Sequence, residues 1–216
     1  MSYIAEEGTF LKRAHDTRNT AETRAFYTDW AETYDSDLTG EHDYVQPRRC
    51  ADMLSRYLAD RRAGILDIGC GTGLCGAALA EAGYGAIDGC DLTPGMLAKA
   101  RETGVYRRLF EADLNVPPLD AADGAYDAAV AVGVFSFSLI HPDAIDEILR
   151  LLAPGAPLVI GVNAKFYAEG TLARKLDALK DAGRIERLTE EHGDHISSAG
   201  MTGWAIAVRT TSAVSG

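Results

Sequence analysis

Long apolar runs are missing from this sequence, and with them any helix able to cross a bilayer. The longest such stretch, around Ala128 to Phe135, falls far short of the roughly 20 residues that a span needs. The first residues, MSYIAEEGTFLKR, lack a charged-then-apolar signal pattern, so the expected location is the cytoplasm, with no membrane partner. Basic stretches are missing too. Arg48-Arg49, Arg61-Arg62 and Arg107-Arg108 are isolated pairs in a chain with 21 Lys and Arg against 32 Asp and Glu, a net charge of −11. Phosphate backbones are held by basic surfaces, so no nucleic-acid partner is expected. The four cysteines form no CxxC pair and no histidine stands at metal-ligand spacing from them. They read as small buried residues, and no metal site is expected. Internal repeats, low-complexity blocks and long linkers are absent as well.

What remains is an ordinary globular composition, 47% hydrophobic and 25% charged over 216 residues, enough for one domain with a sizeable core. Residues 1 to 18 are polar and irregular. A helix is expected from Asn19, which stands in capping-box spacing to Glu22, and along it Phe26, Trp30, Tyr34 and Leu38 share one face. A second helix starts at Pro47, with Cys50, Met53, Leu54, Tyr57 and Leu58 as its apolar stripe.

From Gly64 the pattern alternates strand and helix. Strands are expected over 65–68, 85–90, 106–112, 127–134 and 157–162, with helices over 74–82, 94–101 and 142–152 between them. The last third offers a helix over 171–182, a short strand over 185–188 and a strand over 204–209. His192 and His195, set among Glu190, Glu191 and Asp194, read as a solvated loop. Strands apolar on both faces and separated by helices imply a parallel α/β sheet covered on both sides, whose ligands bind beyond the carboxyl ends of the strands.

Gly69, Gly71 and Gly73 follow the first strand and open the next helix. A backbone that turns sharply there and approaches a ligand needs residues without side chains. The loop could suit a dinucleotide, but a pyrophosphate fingerprint wants GxGxxG and position 74 is Leu74. Asp67 would also repel a pyrophosphate, whereas it would attract an amino-acid ammonium. Asp91 ends the second strand, where a carboxylate can accept from both ribose hydroxyls of an adenosine-type ligand. Asp113 ends the third strand, placed to accept from an adenine amino group. Either aspartate alone would read as a turn or helix cap. With the glycine loop, acids at three successive strand ends point to one ligand.

Together ILDIGCGTG, the acid of CDLTPGML, EADL, YDAAVAVGVF and LLAPGAPLVIGV resemble the class I S-adenosylmethionine-dependent methyltransferases over roughly residues 25 to 210. More narrowly, FYTDWAETYDSDL, YVQPRR and TPGML are similar to the Williams–Beuren-region methyltransferase-like proteins. The resemblance implies a doubly wound, seven-stranded, mostly parallel sheet of order 3-2-1-4-5-7-6, its seventh strand antiparallel. It implies cap helices over 1–60, a cofactor-binding domain over 61–210 and a frayed tail over 211–216.

It also implies roles for single residues. Asp67 and the backbone of Gly69, Cys70, Gly71 and Gly73 would hold the methionine moiety of S-adenosylmethionine. Asp91 would meet the ribose, Leu92 and Met96 the adenosine, and Asp113 and Leu114 the adenine. Gly133 and Val134 would floor the reactive methyl, with Phe135 reaching the acceptor. The aromatic face of the first helix reads as core, or as a lid in which Tyr27 and Tyr34 close over the sulfonium. Tyr34 and His141 are the candidate catalytic groups, His141 reading either as a base or as an exposed helix start. His42, Tyr44, Arg48, Asn163 and Tyr167 are possible acceptor contacts. The expected reaction moves a methyl from S-adenosylmethionine, leaving S-adenosylhomocysteine, to a small molecule, the enzyme being a monomer or homodimer. Other chemistry with the same cofactor, and cofactor binding without turnover, are the alternatives.

Overall fold

The structure is a computed structural model that describes residues 44–136 and 140–211. The expected helix over 19–38, with Tyr27, Tyr34 and His42, lies outside the described residues.

The described chain opens with α1 (Gln46–Tyr57), followed by β1 (Ile65–Ile68), α2 (Leu74–Glu81), β2 (Ile87–Asp91), α3 (Pro94–Glu102), β3 (Tyr106–Glu111) and β4 (Ala128–Val132). A 3-10 turn (Pro142–Ala144) then leads into α4 (Ile145–Leu151), β5 (Pro157–Asn163), α5 (Ala164–Tyr167), α6 (Thr171–Asp181), β6 (Ile185–Ile196) and β7 (Met201–Thr210). The seven strands form one sheet in the order β3-β2-β1-β4-β5-β7-β6. The pairs from β3 to β5 are parallel, and β7 runs antiparallel to both β5 and β6. This is the expected order, with the antiparallel seventh strand where it was expected.

Two apolar layers hold the sheet. One face presents Ile65, Ile87, Ala128, Val130, Val159 and Ala207 to a layer that includes Cys50, Met53 and Leu54 of α1 and Leu79 of α2, all buried. The other presents Leu66, Ile68, Ala131, Leu158, Ile160 and Val208 to Ile145 and Ile148 of α4 and Leu172, Leu176 and Leu179 of α6. Strands buried on both faces lose the period-2 alternation of half-buried ones, which is why they read as continuous apolar runs. Although α1 was expected among cap helices, it packs straight onto the sheet and against α2.

Two expectations are corrected. The strand expected over 185–188 runs to Ile196, because β6 pairs with β7 along nearly its whole length. It forms the sheet edge, so most of its outward positions are exposed and carry charge, a pattern that guards an edge and mimics a loop. His192 and His195 therefore lie in a strand and not in a solvated loop, and His195 is buried. The short α5, capped by Asn163 Oδ1 accepting from the Phe166 N–H at 2.8 Å, was not anticipated.

Candidate active site

The carboxyl ends of β1 and β4 meet at one cleft, and the end of β2 is tied to its loop through Asp91. After Ile68 the chain turns through Gly69, Gly71 and Gly73 at φ of +60°, +53° and +100°. Gly69 has a second constraint, since a Cβ there would stand 2.6 Å from Val134 Cγ2. The loop is tied down from the side. The Cys70 N–H donates to the Cys90 carbonyl at 2.9 Å, and the Gly71 N–H donates to Asp91 Oδ2 at 3.0 Å. Asp91 Oδ1 accepts from both the N–H (2.9 Å) and the hydroxyl (2.7 Å) of Thr93, the residue before α3. Beyond β3, Asp113 Oδ1 accepts from the Asn115 N–H at 2.9 Å. Leu92 is half-buried between Asp91 and α3, while Met96 and Leu114 are buried close by in sequence.

A shallow open cleft lies between the loop (Gly69 to Thr72), Val132 at the end of β4, and Tyr44 and Pro47 at the start of α1. Asp67 stands under the loop without lining the cleft. It is 1% exposed, and its carboxylate accepts from the Tyr106 hydroxyl at 2.7 Å and from the Gly76 N–H. Burial first, and the neighbouring Asp91 charge after it, push its carboxyl up to about 7, against the pull of those two bonds. Cys70 is buried and its thiol is raised by burial and the nearby carboxylates, so it offers no nucleophile.

Across the cleft, Gly133 turns the chain out of β4 at φ +72°, and its N–H donates to the Gly161 carbonyl. The Tyr44 hydroxyl approaches so closely that a Cβ on Gly133 would stand 3.1 Å from it. The Tyr44 ring meets the His195 imidazole edge-on, with centroids 5.2 Å apart. Val134 and Phe135 are buried behind this rim. Among the described residues His195 Nδ1 has no hydrogen-bond partner, and burial, then the Arg49 charge, lower its pKa to about 4. The imidazole is therefore neutral at working pH.

The other acceptor-side candidates are not brought together in this way. Exposed His141 caps the 3-10 turn, its Nδ1 accepting from the Asp143 N–H at 3.3 Å. Arg48 pairs with Glu81 and Asp52 on the outer face of α1. Asn163 is spent on its cap. Tyr167 donates to Glu190 at 2.9 Å and packs on Trp204, which also meets His192. Among the described residues no cluster of His, Cys, Asp and Glu could hold a metal ion, and no helix is long and apolar enough to cross a membrane. Sequence reading missed Tyr106 and His195. No local signal marks Tyr106, and a polar neighbourhood disguised His195.

Comparisons with known proteins bear on this arrangement. Residues 65–155 match the methyltransferase domain family. The chain is 33% identical over 195 residues to human methyltransferase-like protein 27, covering 88% of this chain and 79% of that protein. Among solved structures, the [4+2]-cyclase SpnF shares the fold at a TM-score of 0.67 and 20% identity, with 90% and 97% of the two chains covered. The 1,6-didemethyltoxoflavin-N1-methyltransferase of Burkholderia thailandensis, solved with 1,6-didemethyltoxoflavin and S-adenosylhomocysteine bound, shares it at 0.63 and 18%, covering 91% and 92%. At those identities the two structures speak for the fold alone.

Proposed function

This chain belongs to the class I S-adenosylmethionine-dependent methyltransferases, and on that premise we propose that it moves the cofactor's methyl to a small molecule bearing an oxygen, nitrogen or sulfur nucleophile. The residues present fit the cofactor. A buried carboxylate under a glycine-rich backbone suits an α-ammonium, and the Asp91 carboxylate, now filled by Gly71 and Thr93 donors, suits a ribose diol. When bound, S-adenosylmethionine supplies a methyl already activated by its sulfonium.

In this reading the chain's own task is to bind, orient and exclude water. Gly69, Cys70, Gly71 and Gly73 hold the methionine end, with the Asp67 charge beneath them. Asp91 orients the ribose, with Leu92 and Met96 against the adenosine and Asp113 and Leu114 at the adenine. Gly133 and Val134 floor the methyl, and Tyr44 stands beside them with its hydroxyl close against Gly133. Phe135, His141, Asn163, Tyr167 and Arg48 are left to the acceptor side, where His195 belongs with Tyr44. A general base is needed only for an acceptor protonated at working pH.

Charge carries the small-molecule reading. In a chain of net charge −11, many of the described arginines are already engaged with acids. Arg56 pairs with Glu191, Arg107 with Asp88, Arg108 with Asp120, Arg150 with Glu147, and Arg187 with Asp177 and Glu190. Such a surface repels nucleic acid. The toxoflavin-precursor enzyme shows one small acceptor on this fold, and the cyclase marks the rival reading, different chemistry on the same fold. The four buried free thiols agree with a reducing cytoplasm.

Incubation with methyl-labelled S-adenosylmethionine and a metabolite extract tests the proposal. Label should enter a small molecule. Label only in protein, or none with product still formed, would overturn it.

A further inference from the structure

The donor side of the cleft is built around a residue that no role above requires. Tyr106 opens β3, and its ring lies over β2 and beneath the first turn of α2. Three glycines leave the room it fills. A Cβ on Gly76 of α2 would collide with the phenol oxygen, one on Gly89 of β2 would come within 2.8 Å of the ring, and one on Gly73 within 3.2 Å. From this slot the hydroxyl donates to Asp67 Oδ2 at 2.7 Å, under the loop whose other side lines the cleft.

We propose that Tyr106 is the positioning residue of the cofactor site: its hydroxyl orients the Asp67 carboxylate, while its ring supports the loop's helical end. It does so without touching the cofactor. The inference rests on reading the cleft as the S-adenosylmethionine site.

The chemistry around Asp67 makes this testable. Facing it are Tyr106 from β3, Asp91 from the end of β2, Cys70 in the loop, Cys75 from α2 and Cys50 from α1. Burial raises all three thiols, Cys50 to about 12, so they stay neutral. Burial, then the Asp67 charge, raise the Tyr106 phenol, which remains a donor. Removing that donor takes away a charge-assisted bond that favours the ionised carboxyl, so ionisation moves to higher pH.

The experiment is calorimetric titration of S-adenosylhomocysteine, which keeps the α-ammonium, into wild type, Tyr106→Phe, Asp67→Asn and the double variant, from about pH 6 to about pH 9. Wild-type affinity should fall as pH drops through about 7. Tyr106→Phe keeps the ring and should bind about tenfold more weakly at neutral pH, with the midpoint of the fall displaced upward. Asp67→Asn should bind weakly at every pH, and the double variant no more weakly than Asp67→Asn alone. Wild-type affinity and pH profile in Tyr106→Phe, or additive losses in the double variant, would overturn the proposal. Failure of the wild type to bind at all would instead overturn the reading on which it rests.

Discussion

The two sides of the cleft are made differently. On the side of the glycine loop, the candidate groups bond to one another or to the strands beside them: Gly71 with Asp91, Cys70 with Cys90, Tyr106 with Asp67. On the opposite side most polar candidates bond away from one another. His141 caps its turn, Asn163 caps α5, Tyr167 answers Glu190, and Arg48 answers Glu81. Tyr44 and His195 do lie against each other. One side is thus preorganised for a ligand of fixed shape, while the other leaves its side chains with separate duties that can change without unmaking the fold.

If that contrast is right, the largest effect belongs to Asp91→Ala. It removes the acceptor of two prospective ribose bonds and of the Gly71 and Thr93 donors, so S-adenosylhomocysteine affinity should drop about 100-fold by calorimetry. A loss under threefold would place the ribose elsewhere. Gly69→Ala comes next. A left-handed φ and a clash with Val134 should together cost about 2–4 kcal/mol, seen as a melting-temperature fall of about 5–10 °C. The same substitution at Gly155, also at positive φ but with open space around it, should cost less.

The third effect depends on pH. His195 has its folded pKa lowered to about 4 from 6.5, so the unfolded chain binds more protons between those values. Stability is then fully present above about pH 6.5 and falls by about 1.4 kcal/mol per unit as pH drops toward 4. Denaturant titration of His195→Gln should show a flatter acid limb. An unchanged limb would mean that another group carries the acid sensitivity. The smallest effect is at His141. Losing a cap at an exposed turn should cost about 1 kcal/mol or less, and kcat should change less than about threefold. A far larger fall in kcat would make His141 the base and erase the contrast drawn here.

The same contrast governs what the sequence made legible. The first strands and helices of the sheet, the glycine loop and the acids at successive strand ends are local signals, each read within a few residues of its neighbours, whereas the strand order followed from the family resemblance. Tyr106 carries no such signal. Its place depends on Gly73, Gly76 and Gly89, which only the packing of β2, β3 and α2 brings around its ring. β6 was cut short because an edge strand wears charge on its open side. His195 was mistaken with it, since its burial depends on Tyr44, which stands about 150 positions earlier in the sequence.

The central claim is that the glycine loop with Asp67 and Asp91 holds S-adenosylmethionine, and the most direct measurement is paired calorimetry on the wild-type chain with S-adenosylhomocysteine and with a nicotinamide dinucleotide. Saturable one-to-one binding of S-adenosylhomocysteine, with no heat from the dinucleotide, is the predicted result. Binding of the dinucleotide in its place would contradict the account.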